Sequence, residues 1–269
     1  MGIVNVTPDS FSDGGEALSP DAAIARGFTL CAEGADIIDV GGESTRPGSE
    51  AVPVEEELAR VIPVVKALAA AGLLVSIDTR HARVMAAAID AGVRIVNDVT
   101  ALTGDAAALS LVVRSGVSVV LMHMQGQPRT MQRNPTYGDP VTEVQAWLAA
   151  RVSACEAAGI ALDRIAVDPG IGFGKNLDHN LAILANLQVY RALGCALLIG
   201  VSRKSFIMRL GGGTVPRDRM PGSLAAGLAA VAGGAHILRV HDVAATGQAL
   251  AVFGAIAGAR GVGSGAIPT

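Results

Sequence analysis

Aromatic side chains are scarce in this chain: one Trp, two Tyr and five Phe make up 3% of its 269 residues. The core must therefore be built from Ala, Val, Leu and Ile, and at 51% hydrophobic residues there is ample material for one. Cysteine is rare too. Cys31, Cys155 and Cys195 are far apart, odd in number and form no CxxC pair, so they do not look like metal ligands. Reduced, buried thiols in a cytoplasmic protein are the expectation. No run of 18 apolar residues lacks a charge, which excludes the usual transmembrane helix. The start of the chain has no basic segment ahead of an apolar one, so no signal peptide is read there. Nor is there an excess of positive charge. A net charge of -3 and a pI near 5.9 argue against general polyanion binding and leave any phosphate recognition to a local cluster.

What the chain does have is a repeated unit. Eight short apolar runs recur about every 30 residues, and each ends in a polar or hydrogen-bonding residue. Residues 1–4 end at Asn5, 37–40 at Gly41-Gly42, 74–77 at Asp78 and 95–96 at Asn97. Residues 119–122 end at His123, 165–167 at Asp168, 197–200 just before Ser202, and 237–238 at Arg239 and His241. Between them lie segments with helical patterning at 20–33, 54–71, 81–91, 106–115, 141–158, 177–193, 223–232 and 243–259. Most stop at a glycine (Gly34, Gly72, Gly92, Gly116, Gly159, Gly194, Gly233), the usual helix C-cap. Strand then helix, eight times over, predicts an α/β fold of the (β/α)8 TIM-barrel type, for which about 250 residues suffice. A doubly wound open sheet is the alternative, with fewer βα units and no call for a polar residue at every strand end. Residues 1–269 are read as one domain, with 259–269 a Gly-rich, flexible tail. The loops leaving the strands are long at 7–19, 43–53 and 124–139, which puts the functional face at the strand C-termini.

In a barrel those eight strand ends converge on one mouth. Asp78 and Asp168 would meet there with Asn97, followed by Asp98. Two acids and an amide suit a flat heterocycle with several N–H donors, because a carboxylate accepts two parallel bonds from an amidine-like edge. Arg46, Lys204, Arg239 and His241 fall at or just past strand ends, with Arg203 and Arg219 nearby. Such a cluster in a chain of net negative charge points to an anionic substrate or leaving group. The segment from Asp168 to Lys175 is glycine-rich but is not a nucleotide loop. Pro169 stands where a P-loop needs its first Gly, Asn176 where it needs Ser or Thr, and Lys175 at the third Gly of the dinucleotide fingerprint. Its glycines would instead let the backbone pass close to a flat ligand, with Phe173 over one face. His123 is read as a structural hydrogen-bonding residue, since no HxH or HExxH pair supports zinc. Asn5 with an anionic phosphate would complete a magnesium site.

Seven segments then match in order along nearly the whole chain: MGIVNVTPDSFSDGG at the start, DVGGESTRPG at 39–48, SIDT at 76–79, NDV at 97–99, DPGIGFGK at 168–175, GVSRKSF at 200–206 and RVHDV at 239–243. Together they resemble the dihydropteroate synthase family. The resemblance implies a homodimeric, cytoplasmic (β/α)8 barrel acting in folate biosynthesis. It would condense a dihydropterin-methyl pyrophosphate with para-aminobenzoate by dissociative substitution, with Mg2+ as cofactor. It assigns the pterin to Thr45, Asp78, Asn97, Asp168 and Lys204, and the pyrophosphate to Asn5, Arg46, Arg239 and His241, with Asn5 on the metal. Pro47, Phe173, Ser202 and Arg219 would border the aminobenzoate. Lys204, Arg239, His241 and Asp78 would carry the catalytic work. Sulfonamides become expected inhibitors, and the stretch 208–215 beside the SRK motif is where an insensitive variant would differ. A pterin-dependent methyltransferase and a non-catalytic pterin-binding paralogue are the alternatives; neither needs the full cation set.

Overall fold

The computed structural model describes residues 1–7, 19–44, 49 and 51–262. Its strands are β1 (Gly2–Asn5), β2 (Ile38–Gly41), β3 (Val75–Asp78), β4 (Ile95–Asp98), β5 (Ser118–Met122), β6 (Ile165–Asp168), β7 (Ala196–Ile199) and β8 (Ile237–Leu238). They form one eight-stranded sheet in sequential order, with every pairing parallel. The sheet is curled, and β1 meets the chain just past β8. Gly2 bridges to Val240, the Ile3 N–H donates to the Val240 carbonyl at 3.1 Å, and the Val240 N–H to the Met1 carbonyl at 2.9 Å. The helices are α1 (Pro20–Ala32), α2 (Val54–Ala70), α3 (Ala82–Asp90), α4 (Ala108–Ser115), α5 (Pro140–Ala157), α6 (Leu177–Ala185), α7 (Gln188–Arg191), α8 (Ser205–Gly211), α9 (Met220–Ala232) and α10 (Val243–Val262).

Two cores result from the alternation of side chains along each strand. Residues pointing outward, such as Val40, Ile77, Val96, Val119, Val167 and Leu197, join the helices in one large aliphatic layer. A second, small cluster of Met1, Val120, Ala166 and Leu198 is held by side chains of the opposite alternation, with Ile95 and Ile237 packed against it. No aromatic ring is needed inside the sheet; the buried rings of the outer layer include Tyr190 on α7 and Phe206 on α8. Each fully buried Leu, Ile or Val contributes roughly 1.5–3 kcal/mol, so the outer layer carries most of the stability.

The helix entries and exits follow local chemistry. Ser19 caps α1 by accepting from the Ala22 N–H, with Pro20 at the first helical position. Six of the seven expected glycine stops adopt positive φ; the seventh is Gly234 (φ 98) rather than Gly233 (φ -76). The helix expected at 177–193 is two, because the Asn186 side chain donates to the Ala182 carbonyl and competes with the helical backbone. The tail expected at 259–269 overlaps the end of α10, which runs to Val262; residues 263–269 lie outside the described residues. Among the described residues no helix is long and apolar enough to cross a membrane.

Candidate active site

Register makes neighbours of residues that are far apart in the chain. Asn5 pairs with Gly41, Gly41 with Asp78, and Asp78 with Asn97, which puts three expected site residues on one level of the sheet. Asp39, two residues before Gly41, shares its face of β2 and is fully buried. Its Oδ2 accepts from Arg239 Nε at 2.6 Å and from Asn97 Nδ2 at 3.1 Å. Arg239 Nη2 donates to Asp78 Oδ2 at 2.7 Å. One guanidinium from the end of β8 thus spans carboxylates from β2 and β3. Asp39 Oδ1 has no hydrogen-bond partner among the described residues.

Burial pushes Asp78 up to about 7, against the pull of Arg239. Burial alone would lower Arg239, but the Asp39 and Asp78 carboxylates hold it above its ordinary value. Asp168, at the end of β6, is also raised by burial, with Lys204 opposing. Its Oδ1 accepts from the Gly170 N–H at 2.7 Å. Burial lowers Lys204 to about 8, offset in part by Asp168. The Lys204 ammonium donates to the Ile171 carbonyl and stands 4.9 Å from the centroid of the half-buried Phe173 ring. Asp98 turns away from this group: its carboxylate accepts from the Thr100 and Leu102 N–H groups and closes the loop after β4.

At the far side, Ser202 links the last two strand ends. Its hydroxyl accepts the His241 N–H at 3.2 Å and lies 3.0 Å from His241 Nδ1, an arrangement that suits O–H donation to the ring. Arg203, in a left-handed conformation (φ 59), pairs with Asp242 at 2.7 Å. Arg219, expected to border the aminobenzoate, is bound to main-chain carbonyls. Its guanidinium donates to the carbonyls of Gly213, Arg203 and Thr214, which makes it a clamp on the loop between α8 and α9. Thr45, Arg46 and Pro47 lie outside the described residues.

The glycines at 170 and 174 face a neighbouring loop. A Cβ on Gly170 would stand 1.9 Å from the His123 carbonyl oxygen, and one on Gly174 2.3 Å from that of Gln125. The close approach is to the neighbouring loop. His123 has a structural bond, Nδ1 to Lys175 Nζ at 2.9 Å, and burial lowers it to about 3. Sequence reasoning missed Asp39 and Lys175. The signal for Asp39 was present: an acid inside a four-residue apolar strand needs a buried cation. None marked Lys175.

The arrangement has acceptors and cations interleaved at one mouth. Asp78, Asn97 and Asp168 can receive N–H groups, while Arg239, His241 and Lys204 can meet negative charge. Among the described residues no three His, Cys, Asp or Glu gather to hold a metal. The half-buried amide of Asn5 fits a hard cation that takes its other ligands from phosphate oxygens and water.

Residues 1–241 match the family described as pterin binding enzyme. A dihydropteroate synthase of Neisseria meningitidis serogroup B is 51% identical over 261 residues, 95% of this chain and 92% of that one. The Yersinia pestis dihydropteroate synthase, solved with a sulfonamide drug, superposes with a TM-score of 0.91 at 44% identity, covering 96% of this chain and 93% of the other. The Xanthomonas albilineans enzyme, solved with 7,8-dihydropteroate, gives 0.85 at 49% identity over 95% and 92%. The chain belongs to the pterin-binding enzymes, within the dihydropteroate synthase family of transferases.

Proposed function

We propose that this chain joins a dihydropterin-methyl pyrophosphate to para-aminobenzoate, forming 7,8-dihydropteroate and pyrophosphate. The single observation that carries the reading is the Arg239 bridge between Asp39 and Asp78, with Asn97 on the level of Asp78. Such a bridge supports a site with a cation for a departing anion beside acceptors for an N–H-rich ring. Asp168 would take the 2-amino edge of the pterin, with Asp78, Asn97, Lys204 and Thr45 around it. Asn5, Arg46, Arg239 and His241 would hold the pyrophosphate. Pro47, Phe173 and Ser202 would border the aminobenzoate, and the carbonyl-bound Arg219 would shape that pocket from behind.

The chemistry is a dissociative substitution. The bond from the pterin methylene to the pyrophosphate oxygen breaks first, and both electrons leave with the oxygen. Arg239 and His241 stabilise that charge where it develops. The aminobenzoate nitrogen then attacks the methylene and loses a proton, so no side-chain nucleophile is required. Mg2+, with Asn5 as its protein ligand, would neutralise further charge on the leaving group. The long loops at 7–19 and 43–53 would exclude water from the cation.

We further read residues 1–269 as one closed barrel domain, supported by the Gly2–Val240 bridge. A homodimer fits the apolar Val252 and Ile256, which α10 leaves 57% and 54% exposed. The three free thiols fit a reducing cytoplasm. Pyrophosphate release on mixing the protein with the dihydropterin pyrophosphate, Mg2+ and aminobenzoate tests the reading. Aminobenzoate-dependent release is expected, and Lys204→Ala should abolish it. Repeating the assay with sulfamethoxazole separates a sensitive enzyme from an insensitive variant. Tight pterin binding without release would return the methyltransferase and the silent paralogue.

A further inference from the structure

We propose that Lys175 is a positioning residue for the aminobenzoate half of the site; this rests on the synthase reading above. Lys175 is 2% exposed, and its Nζ meets four acceptors: His123 Nδ1 at 2.9 Å, the carbonyls of Gly170 and Phe173, each at 3.0 Å, and the His123 carbonyl at 3.4 Å. An ammonium has three N–H donors, so the group is saturated in this geometry. Two of its acceptors belong to the loop after β6 and two to His123, just past the end of β5. Lys175 therefore ties one loop to itself and to its neighbour.

The tie is exact in direction because the surroundings leave no slack. The His123 ring stands edge-on to Trp147 at 5.1 Å. Tyr137, from the loop after β5, donates its phenol to the Gly174 carbonyl at 2.9 Å. Gly170 and Gly174 lie too near the opposing carbonyls to accept any Cβ. The part of the loop so fixed carries the Ile171 carbonyl and the Phe173 ring, and both of these meet the Lys204 ammonium. The position of Phe173, and through it one wall of the aminobenzoate pocket, depends on a buried amine that touches no substrate.

The strand residues of the pterin side depend on it less. Asp78 and Asn97 are paired strand to strand, and the Asp168 main chain is fixed in the β5–β6 ladder opposite Met122, although its carboxylate also accepts from Gly170. Removing the amine should thus split the two halves of the site. A role confined to folding would lower the amount of active enzyme without changing either constant.

The test is Lys175→Met, which keeps the length of the side chain and removes all three donors. Pterin affinity is measured by calorimetry, and KM for aminobenzoate and kcat by pyrophosphate release. KM for aminobenzoate should rise at least about tenfold while the pterin Kd stays within about threefold. Emission from Trp147, the only Trp, should change as the His123 ring loses its partner. An unchanged KM, or equal losses for both ligands, overturns the proposal. If Lys175→Met does not fold, Tyr137→Phe loosens the same loop by one bond and should give the same split at smaller size; an unchanged KM there overturns it equally. A wild-type protein that releases no pyrophosphate overturns the synthase reading and the proposal with it, whereas an active wild type with no split in the variant overturns the proposal alone.

Discussion

The two halves of the mouth are built differently. On the β2–β4 side, Asp39, Asp78 and Asn97 stand on strands, and Arg239 ties them across the sheet. On the β5–β6 side, Phe173, Lys175 and His123 owe their arrangement to two loops stapled face to face. The first half is charged and electrostatically stiff: Asp39 and Asp78 are held by a ladder and by an ion pair, and Asn97 by a ladder and a bond to Asp39. The second is held by bonds from one lysine and one phenol to main-chain carbonyls and a ring. Changes on the strand side should therefore cost stability as well as function, and changes on the loop side should act on function first.

The sharpest break in that comparison is Arg239→Met. It leaves Asp39 and Asp78 close together and largely buried with no counter-charge. Removing one member of such a set costs roughly 3–5 kcal/mol, so urea denaturation should show a clear fall in the midpoint together with loss of turnover. A variant as stable as the parent would mean that the carboxylates are not held by charge. Asp168→Asn should follow, with its effect on binding. Each charge-assisted bond from the pterin edge is worth about 1.5–3 kcal/mol, so calorimetry should show pterin affinity lower by tenfold or more. The urea midpoint should move little, because the Gly170 N–H still finds an acceptor in the amide. Normal pterin affinity in a folded Asp168→Asn chain would remove Asp168 from the site.

Asp78 gives a test through pH, smaller because Asp168 and Asn97 remain. Its carboxyl is pushed up to about 7 by burial. Between the ordinary carboxylate range and that value, the folded chain keeps a proton that the unfolded chain has released. The contribution of this group to stability therefore falls as pH rises across the window and is level above it. Pterin affinity should move the other way, rising through about pH 7 as the carboxylate becomes a full acceptor. Asp78→Asn should flatten both profiles; slopes that survive the substitution belong to another group.

The same division decided what the sequence made legible. Strand positions could be read because an apolar run that ends in a polar residue fixes both the element and the end at which that residue stands. Asn5, Asp78, Asn97, Asp168 and Arg239 all sit where that rule puts them. Asp39 escaped because it lies within its run, at a position that looks apolar until Arg239 is seen opposite. The loop side was harder, since a loop has no period. The glycines at 170 and 174 pointed to a close backbone approach, and the loop carrying His123 and Gln125 makes one. The short α8 went unread because seven residues give too little periodicity, and its start at Lys204 is marked by no side-chain cap.

Arg219 offers the mildest and most discriminating change. It lies between β7 and β8, half-buried, and donates to three main-chain carbonyls that belong to the segments on either side of α8. Arg219→Gln keeps a donor but cannot span all three. A loss of about 1–2 kcal/mol is expected from hydrogen bonds to a charged group, partly recovered by water because the site is open on one side. The more telling readout is the ligand. A direct ion pair between Arg219 and the aminobenzoate carboxylate would make binding fall steeply and depend on salt. A clamp on the loop between α8 and α9 would raise KM for aminobenzoate modestly, leave its salt dependence unchanged and shift sulfonamide affinity separately, because the drug and the substrate fill the loosened wall differently. Kinetics at two ionic strengths would decide between these outcomes, and the geometry of the guanidinium predicts the clamp.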